Sequence, residues 1–252
     1  IAGVDSNTKI LPIQAINDDG YGDTITVSRA IRYAADQGAD VISLSLGTPS
    51  PDSYLRQAID YAISKGSVVV AASGNDGCDC IIYPANYEEV VAVGATDTNN
   101  QRAYFSSFGN NLDIVAPGYS MSSSSWSRLN GSSTYVSGIS GTSFATPLVA
   151  GVLTTMKSHQ PQASVSQLIG VLTERTNRSV MASNVLRTDE LGYGLLDIDS
   201  VVQRVSAVQT PRQRYSFYPA SGGNAIANYE PTKAFQIYQC EQNQVGTTSL
   251  YK

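Results

Sequence analysis

Ser143 stands in Gly-Thr-Ser-Phe-Ala-Thr-Pro (141–147), directly ahead of an apolar stretch that begins at Leu148. A serine hydroxyl is a poor nucleophile until a base removes its proton. At a helix start it also sits in a field that favours developing negative charge. The same position suits Thr142 or Ser143 as an ordinary N-cap, and spacing alone leaves both readings open. Gly141 allows backbone or substrate to approach closely. Asn75, in Ser-Gly-Asn-Asp-Gly (73–77), is a second candidate. Its side-chain amide offers N–H donors that can stabilise an oxyanion, although asparagine is also common in turns. The chain has one histidine, His159, 16 positions after Ser143. If a helix joins them, its rise separates the two by roughly 24 Å, so His159 is not the base. A histidine near a helix C-terminus has a structural use in the helix dipole.

These residues need elements to hold them. Apolar runs at 9–16, 40–47, 67–73, 90–96 and 112–118 read as buried strands. They are continuous rather than alternating, as strands covered on both faces should be. Between the early runs lie helical patterns. Val27, Ala30, Ile31, Ala34 and Ala35 share one face before Gly38, and Leu55, Ala58, Ile59, Ala62 and Ile63 share another before Gly66. Strand and helix in alternation predict an α/β fold, a largely parallel sheet with helices on both faces. After Ser143 comes a long helix with Leu148, Val149, Val152, Leu153 and Met156 on its apolar side, and Pro147 is expected in its first turn. Residues 119–135 are Ser-rich and read as a surface loop or hairpin. Further helices are expected over 164–176 and towards 205. Residues 1–206 form the core unit. Residues 207–252 are richer in Tyr, Gln and Asn, lack a clear period, and read as an extension or linker.

The chain has 252 residues, of which 42% are hydrophobic, enough for a substantial core. No apolar run approaches the roughly 20 residues of a membrane helix. A net charge of −5 without a basic stripe argues against nucleic acid as a partner. Charged residues make up 15%, and with abundant Ser, Thr, Asn and Tyr this composition suggests a secreted protein. The cysteines are Cys78, Cys80 and Cys240. Cys78 and Cys80 are expected to be strained as a pair with each other. As half of a metal site they lack a second cluster. An odd count points to a free thiol or an outside partner.

Ser-Gly-Ile-Ser-Gly-Thr-Ser-Phe-Ala-Thr-Pro-Leu-Val-Ala-Gly-Val (137–152) resembles the serine motif of the subtilisin-like serine proteases, the subtilases. Val-Ile-Ser-Leu-Ser-Leu-Gly (41–47), Val-Val-Val-Ala-Ala-Ser-Gly-Asn-Asp-Gly (68–77), the block from Ile81 to Thr96, the block from Phe105 to Gly118 and Gly-Tyr-Gly-Leu-Leu-Asp-Ile-Asp (192–199) match further blocks of that family, in order. The resemblance implies a serine endopeptidase acting on peptide or protein substrates. It makes Ser143 the nucleophile and Asn75 the oxyanion donor. It places the substrate backbone along Ser45, Leu46 and Gly47. Ala72, Ser73 and Gly74 become a wall of the pocket for the residue before the cut. That pocket's floor, Ile81, Ile82 and Tyr83, is apolar, so apolar or medium-sized side chains are expected over Lys or Arg. The main-chain carbonyls of Ala85, Tyr87 and Val90 match a weak cation position, for calcium or a monovalent ion. The position of Leu148, often His in the family, is expected to serve packing.

The family order is Asp, His, Ser, yet the Asp and His blocks are absent from this sequence. The chain is therefore expected to be inactive alone and to receive both residues from an N-terminal segment, separated by nicking or truncation. A catalytically silent peptide-binding or scaffold domain is the alternative. A disulfide using Cys78 or Cys80 is expected to hold the turn after Asn75, with Cys240 or a cysteine of the missing segment as partner.

Overall fold

A computed structural model describes residues 3–127, 132–181, 185–201 and 235–237, with the backbone alone at 126, 127, 132 and 235–237. Its centre is a five-stranded sheet in which every neighbouring pair is parallel. The strands are β1 (Val41–Leu44), β2 (Val68–Ala72), β3 (Val91–Thr96), β4 (Ile114–Pro117) and β7 (Phe235–Ile237), in the order β4-β3-β2-β1-β7. Alternate side chains of the strands enter two different cores. Ile42, Leu44, Val69 and Ala71 face one core; Val41, Val68, Val70, Val91 and Val93 face the other. This is why the strands are apolar at successive positions: period-two geometry sends neighbours to opposite faces, and both faces are dry.

Helices α1 (Thr24–Asp36) and α2 (Ser53–Ser64) cover the first face through Val27, Ile31, Ala34, Leu55, Ala58 and Ile59. Both start on an aspartate cap: Asp23 accepts from the Thr26 N–H at 2.8 Å, and Asp52 from the Leu55 N–H at 2.9 Å. Both are followed by a glycine at positive φ, Gly38 (78°) and Gly66 (91°), where the chain must turn back into a strand. Helices α3 (Thr142–His159) and α4 (Val165–Glu174) cover the second face through Val149, Val152, Leu153, Met156, Leu168 and Leu172. Leu148 is half-buried and packs beside that core. The Ser-rich segment is a hairpin, β5 (Met121–Ser127) against β6 (Ser132–Ile139), antiparallel and outside the main sheet.

Three expectations need correction. Residues 9–16 form no strand. Ala15 and Ile16 are buried and Leu11 and Ile13 half-buried, so the apolar pattern reports burial, while no neighbouring strand pairs with it among the described residues. Pro147 lies at the sixth residue of α3, beyond the first turn. Cys78 and Cys80 lie next to each other, rather than either facing a cysteine elsewhere: a turn folds them together, their Cα atoms 5.2 Å apart, within the ordinary span for bonded cysteines. Within the segment read as an extension or linker, β7 lies parallel to β1 with Ile42 opposite Phe235 and Leu44 opposite Ile237. The rest of 207–252, Cys240 included, lies outside the described residues, as does the expected helix beyond 201.

Candidate active site

The C-terminal ends of the parallel strands gather the candidate residues along one edge of the sheet. β1 runs into Ser45–Gly47, β2 into Ser73–Asn75, and β4 into Gly118, whose carbonyl accepts the Gly141 N–H at 2.8 Å. That bond brings the start of α3 to the sheet edge, with Ser143 as the second helical residue.

α3 begins differently from the other helices. Its N-cap is Gly141, which has no side chain to offer. The acceptor comes instead from 67 residues earlier: Asn75 Oδ1 accepts from the Thr142 N–H and from the Thr142 hydroxyl, each at 2.9 Å. The Thr142 hydroxyl also lies 3.3 Å from the Gly74 carbonyl. Neither Thr142 nor Ser143 is the cap. With its oxygen held by two donors, the Asn75 amide has a fixed orientation, and Nδ2 lies 3.7 Å from where a Cβ on Gly141 would stand.

Ser143 is half-buried and held by Ser45 in both directions. The Ser143 hydroxyl is 3.4 Å from the Ser45 carbonyl, and the Ser45 hydroxyl donates to the Ser143 carbonyl at 2.9 Å. The second bond follows from Pro147. In a regular helix the N–H of residue 147 would bond the carbonyl of residue 143, and proline has no N–H. Ser45 supplies the missing donor, which lets a proline sit in the second turn. Sequence reading assigned Ser45 to the substrate backbone and did not foresee this contact. The only sequence signal is the proline itself, which announces one unpaired carbonyl without saying what will reach it.

The other expected residues fall around this centre. Leu46 is buried in the core, and Gly47 is pressed against Ile82. Thr48 exchanges two main-chain hydrogen bonds with Tyr83, at 2.7 and 2.8 Å. Ala72 and Ser73 are buried, and the Ser73 hydroxyl donates to the Ser107 carbonyl at 2.8 Å. Of the expected floor residues, Ile81 packs into the first core, Tyr83 meets the Tyr87 ring at 4.8 Å, and Ile82 packs against Gly47 and Gly74. Ala85, Tyr87 and Val90 lie in the turn after Pro84, where the Val90 N–H donates to the Tyr87 carbonyl at 3.0 Å. The Cys78–Cys80 turn leans on the same scaffold as Asn75: Cys80 Sγ is 3.5 Å from the Ser107 hydroxyl, which accepts the Asp76 N–H at 3.2 Å.

His159 is the last residue of α3. Its Nδ1 lies 2.9 Å from the Thr155 carbonyl and 3.2 Å from the Ser158 hydroxyl, contacts that belong to the helix end. At the opposite end of the strands from Ser143, Asp113 precedes β4. Its carboxylate accepts the Ala92 N–H at 2.8 Å, and burial pushes its pKa up to about 6 despite that bond and the nearby Arg187.

A parallel sheet with helices on both faces, and a serine at a helix N-terminus beside a fixed asparagine amide, define a protein of the subtilisin-like α/β class. The model of the subtilase family matches residues 1–197, and the chain belongs to that family. Subtilisin BL of Lederbergia lenta is 38% identical over 203 residues, covering 81% of this chain and 71% of the relative. Thermitase of Thermoactinomyces vulgaris is 46% identical over 165 residues, covering 65% of this chain and 57% of thermitase. Among solved structures, a protease from Pseudoalteromonas arctica PAMC 21717 superposes with a TM-score of 0.69 at 30% identity, covering 81% of this chain and 65% of that one. No helix among the described residues is long and apolar enough to cross a membrane.

Proposed function

We propose that this chain is the serine-bearing and oxyanion-bearing part of a secreted serine endopeptidase, completed by an N-terminal segment that supplies the Asp and His. The observation that carries the reading is the seat of Ser143. The serine stands at a helix N-terminus, tied to Ser45, beside an asparagine whose carbonyl is committed and whose donors are thereby aimed. The Ser143 hydroxyl attacks the scissile carbonyl as the incoming His takes its proton, and the Asp orients that His. The scissile C–N bond then breaks as the His passes that proton to the leaving amine, which leaves the acyl-enzyme on Ser143; water, deprotonated by the same His, hydrolyses that ester and frees the serine. Asn75 Nδ2 and the Ser143 N–H share the oxyanion. The second N–H of a helix has no partner within the helix, so it is suited to this use.

Without the base, the chain alone is inactive. The close Cys78–Cys80 pair forms a disulfide in the oxidising compartment of a secreted protein, supporting the turn that follows Asn75. The carbonyls of Ala85, Tyr87 and Val90 would hold a weakly bound calcium or monovalent cation. They are neutral oxygens, and the Tyr87 carbonyl keeps a lone pair beside its bond to Val90. That ion is structural and takes no part in the chemistry.

A fluorophosphonate probe tests the reading. The chain alone should remain unlabelled, and the chain joined by its N-terminal segment should be labelled at Ser143. Ser143→Ala should abolish both labelling and turnover. Turnover by the 252-residue chain alone would refute the dependence on a companion segment. Absence of labelling after completion would instead favour a silent peptide-binding domain.

A further inference from the structure

The amide of Asn75 stays aimed only while the turn that carries it is held, and one residue outside that turn holds it at three points. Ser107 is 0% exposed. Its N–H donates to the Gly74 carbonyl at 3.0 Å, and its carbonyl accepts the Ser73 hydroxyl at 2.8 Å. Its hydroxyl accepts the Asp76 N–H at 3.2 Å. These bonds reach the two residues before Asn75 and the one after it. Phe108, the next residue, donates to the Cys78 carbonyl at 2.9 Å and accepts the Cys80 N–H at 3.1 Å, so the segment runs alongside the turn. The packing is close as well: a Cβ on Gly74 would stand 3.0 Å from Ser107 Oγ. In the disulfide proposed above, Cys80 Sγ carries no proton. The Ser107 hydroxyl therefore points its own proton at that sulfur, 3.5 Å away, and keeps a lone pair for Asp76.

We infer that Ser107 is the positioning residue for the oxyanion donor. Thr142 fixes the tip of the Asn75 side chain, its N–H and its hydroxyl each 2.9 Å from Oδ1. Ser107 fixes the main chain from which that side chain springs. Both ends must be held, because a donor serves an oxyanion only when placed to within roughly 0.5 Å. The inference rests on the endopeptidase reading of the site, and it adds a residue that acts through the main chain around Asn75.

The test has two readouts. In the 252-residue chain alone, the side-chain NH2 resonances of Asn75 report its setting without a catalytic base. Ser107→Ala should shift or broaden them. Ser73→Ala removes the other hydroxyl and should do the same, which keeps the test open if the first variant fails to fold. Ser106→Ala is the control. This serine is equally buried, but its hydroxyl accepts the Ala95 N–H of β3 at 2.9 Å, and its contact with the Ser107 carbonyl is long, 3.4 Å. The control should lower stability and leave the Asn75 resonances in place. In the completed protease, Ser107→Ala should lower kcat about tenfold with KM nearly unchanged, a smaller loss than the roughly 10²–10³ for removing an oxyanion donor outright. Asn75 resonances that stay in place in both Ser107→Ala and Ser73→Ala, or that move equally in Ser106→Ala, would overturn the role of Ser107. If the resonances move and kcat holds, Ser107 positions Asn75 as described, and the oxyanion reading of Asn75 fails instead.

Discussion

The two ends of the parallel strands are put to different uses. At the C-terminal ends, three loops and the start of α3 are joined by contacts between residues far apart in sequence: Ser45 with Ser143, Asn75 with Thr142, Gly118 with Gly141. Towards the N-terminal ends, Asp113 is set among main-chain groups of its neighbours, its carboxylate on Ala92 and its carbonyl accepting the Tyr193 N–H at 2.7 Å. His159 closes the far end of α3 on its own helix. The difference teaches where chemistry fits in such a sheet. Where the strands end, loops diverge and leave polar groups facing one another. Where they begin, the same polar groups are consumed in closing the fold.

The comparison breaks most visibly at Asn75. In the completed protease, Asn75→Ala should lower kcat by roughly 10²–10³ with KM nearly unchanged, a magnitude taken from subtilisin itself rather than from this geometry. Asn75→Asp sharpens the point. It keeps the oxygen that accepts from Thr142 but loses the N–H donors, so kcat should fall while α3 keeps its cap. If Asn75→Asp retains full kcat, Asn75 serves only as a remote helix cap.

Asp113 should affect stability and leave the chemistry alone. Its folded pKa, about 6, stands above the ordinary 3.8, so the folded state holds the proton more tightly than the unfolded chain. Stability from this group is full below about pH 4 and is lost as the pH rises through 6. The loss is on the order of 2 kcal/mol, allowing for partial exposure. Asp113→Asn should flatten that part of the stability profile in urea melts. A wild-type profile that rises between pH 4 and 6, and that the variant leaves unchanged, would show that Asp113 is not buried as described.

A smaller effect tests the proline. Ser45→Ala should cost about 1 kcal/mol by leaving the Ser143 carbonyl without its donor. In a Pro147→Ala background the helix regains an N–H at that position, and the same change should cost less than half as much. Equal costs in the two backgrounds, measured as a double-mutant cycle, would separate Ser45 from Pro147.

His159→Gln should matter least. It should change stability by no more than about 0.5–1 kcal/mol, the worth of a side-chain hydrogen bond at a helix end, and should leave the activity of the completed enzyme intact. A large loss of kcat would return His159 to the chemistry and break the contrast between the two ends of the molecule.

The sequence by itself determined the layers. Strand and helix patterns are local, and the continuous apolar runs of β1 to β4 required a sheet covered on both faces. The turn glycines Gly38 and Gly66 marked where helices stop. Ser143 and Asn75 were legible as types in motifs, and the spacing along one helix was enough to set His159 aside. Tertiary structure decided what no window of sequence contains. Residues 9–16 have the composition of a strand, but a strand exists only when a partner lies beside it. Cys78 and Cys80 meet because a turn closes on them. The cap of α3 comes from Asn75, the donor for the carbonyl orphaned by Pro147 comes from Ser45, and Ile82 packs against two glycines far apart in sequence, Gly47 and Gly74. Each of these is a short-range contact, a hydrogen bond or a van der Waals fit, between residues that only the folded chain brings within reach. The sequence can state that a group needs a partner, and packing chooses which one.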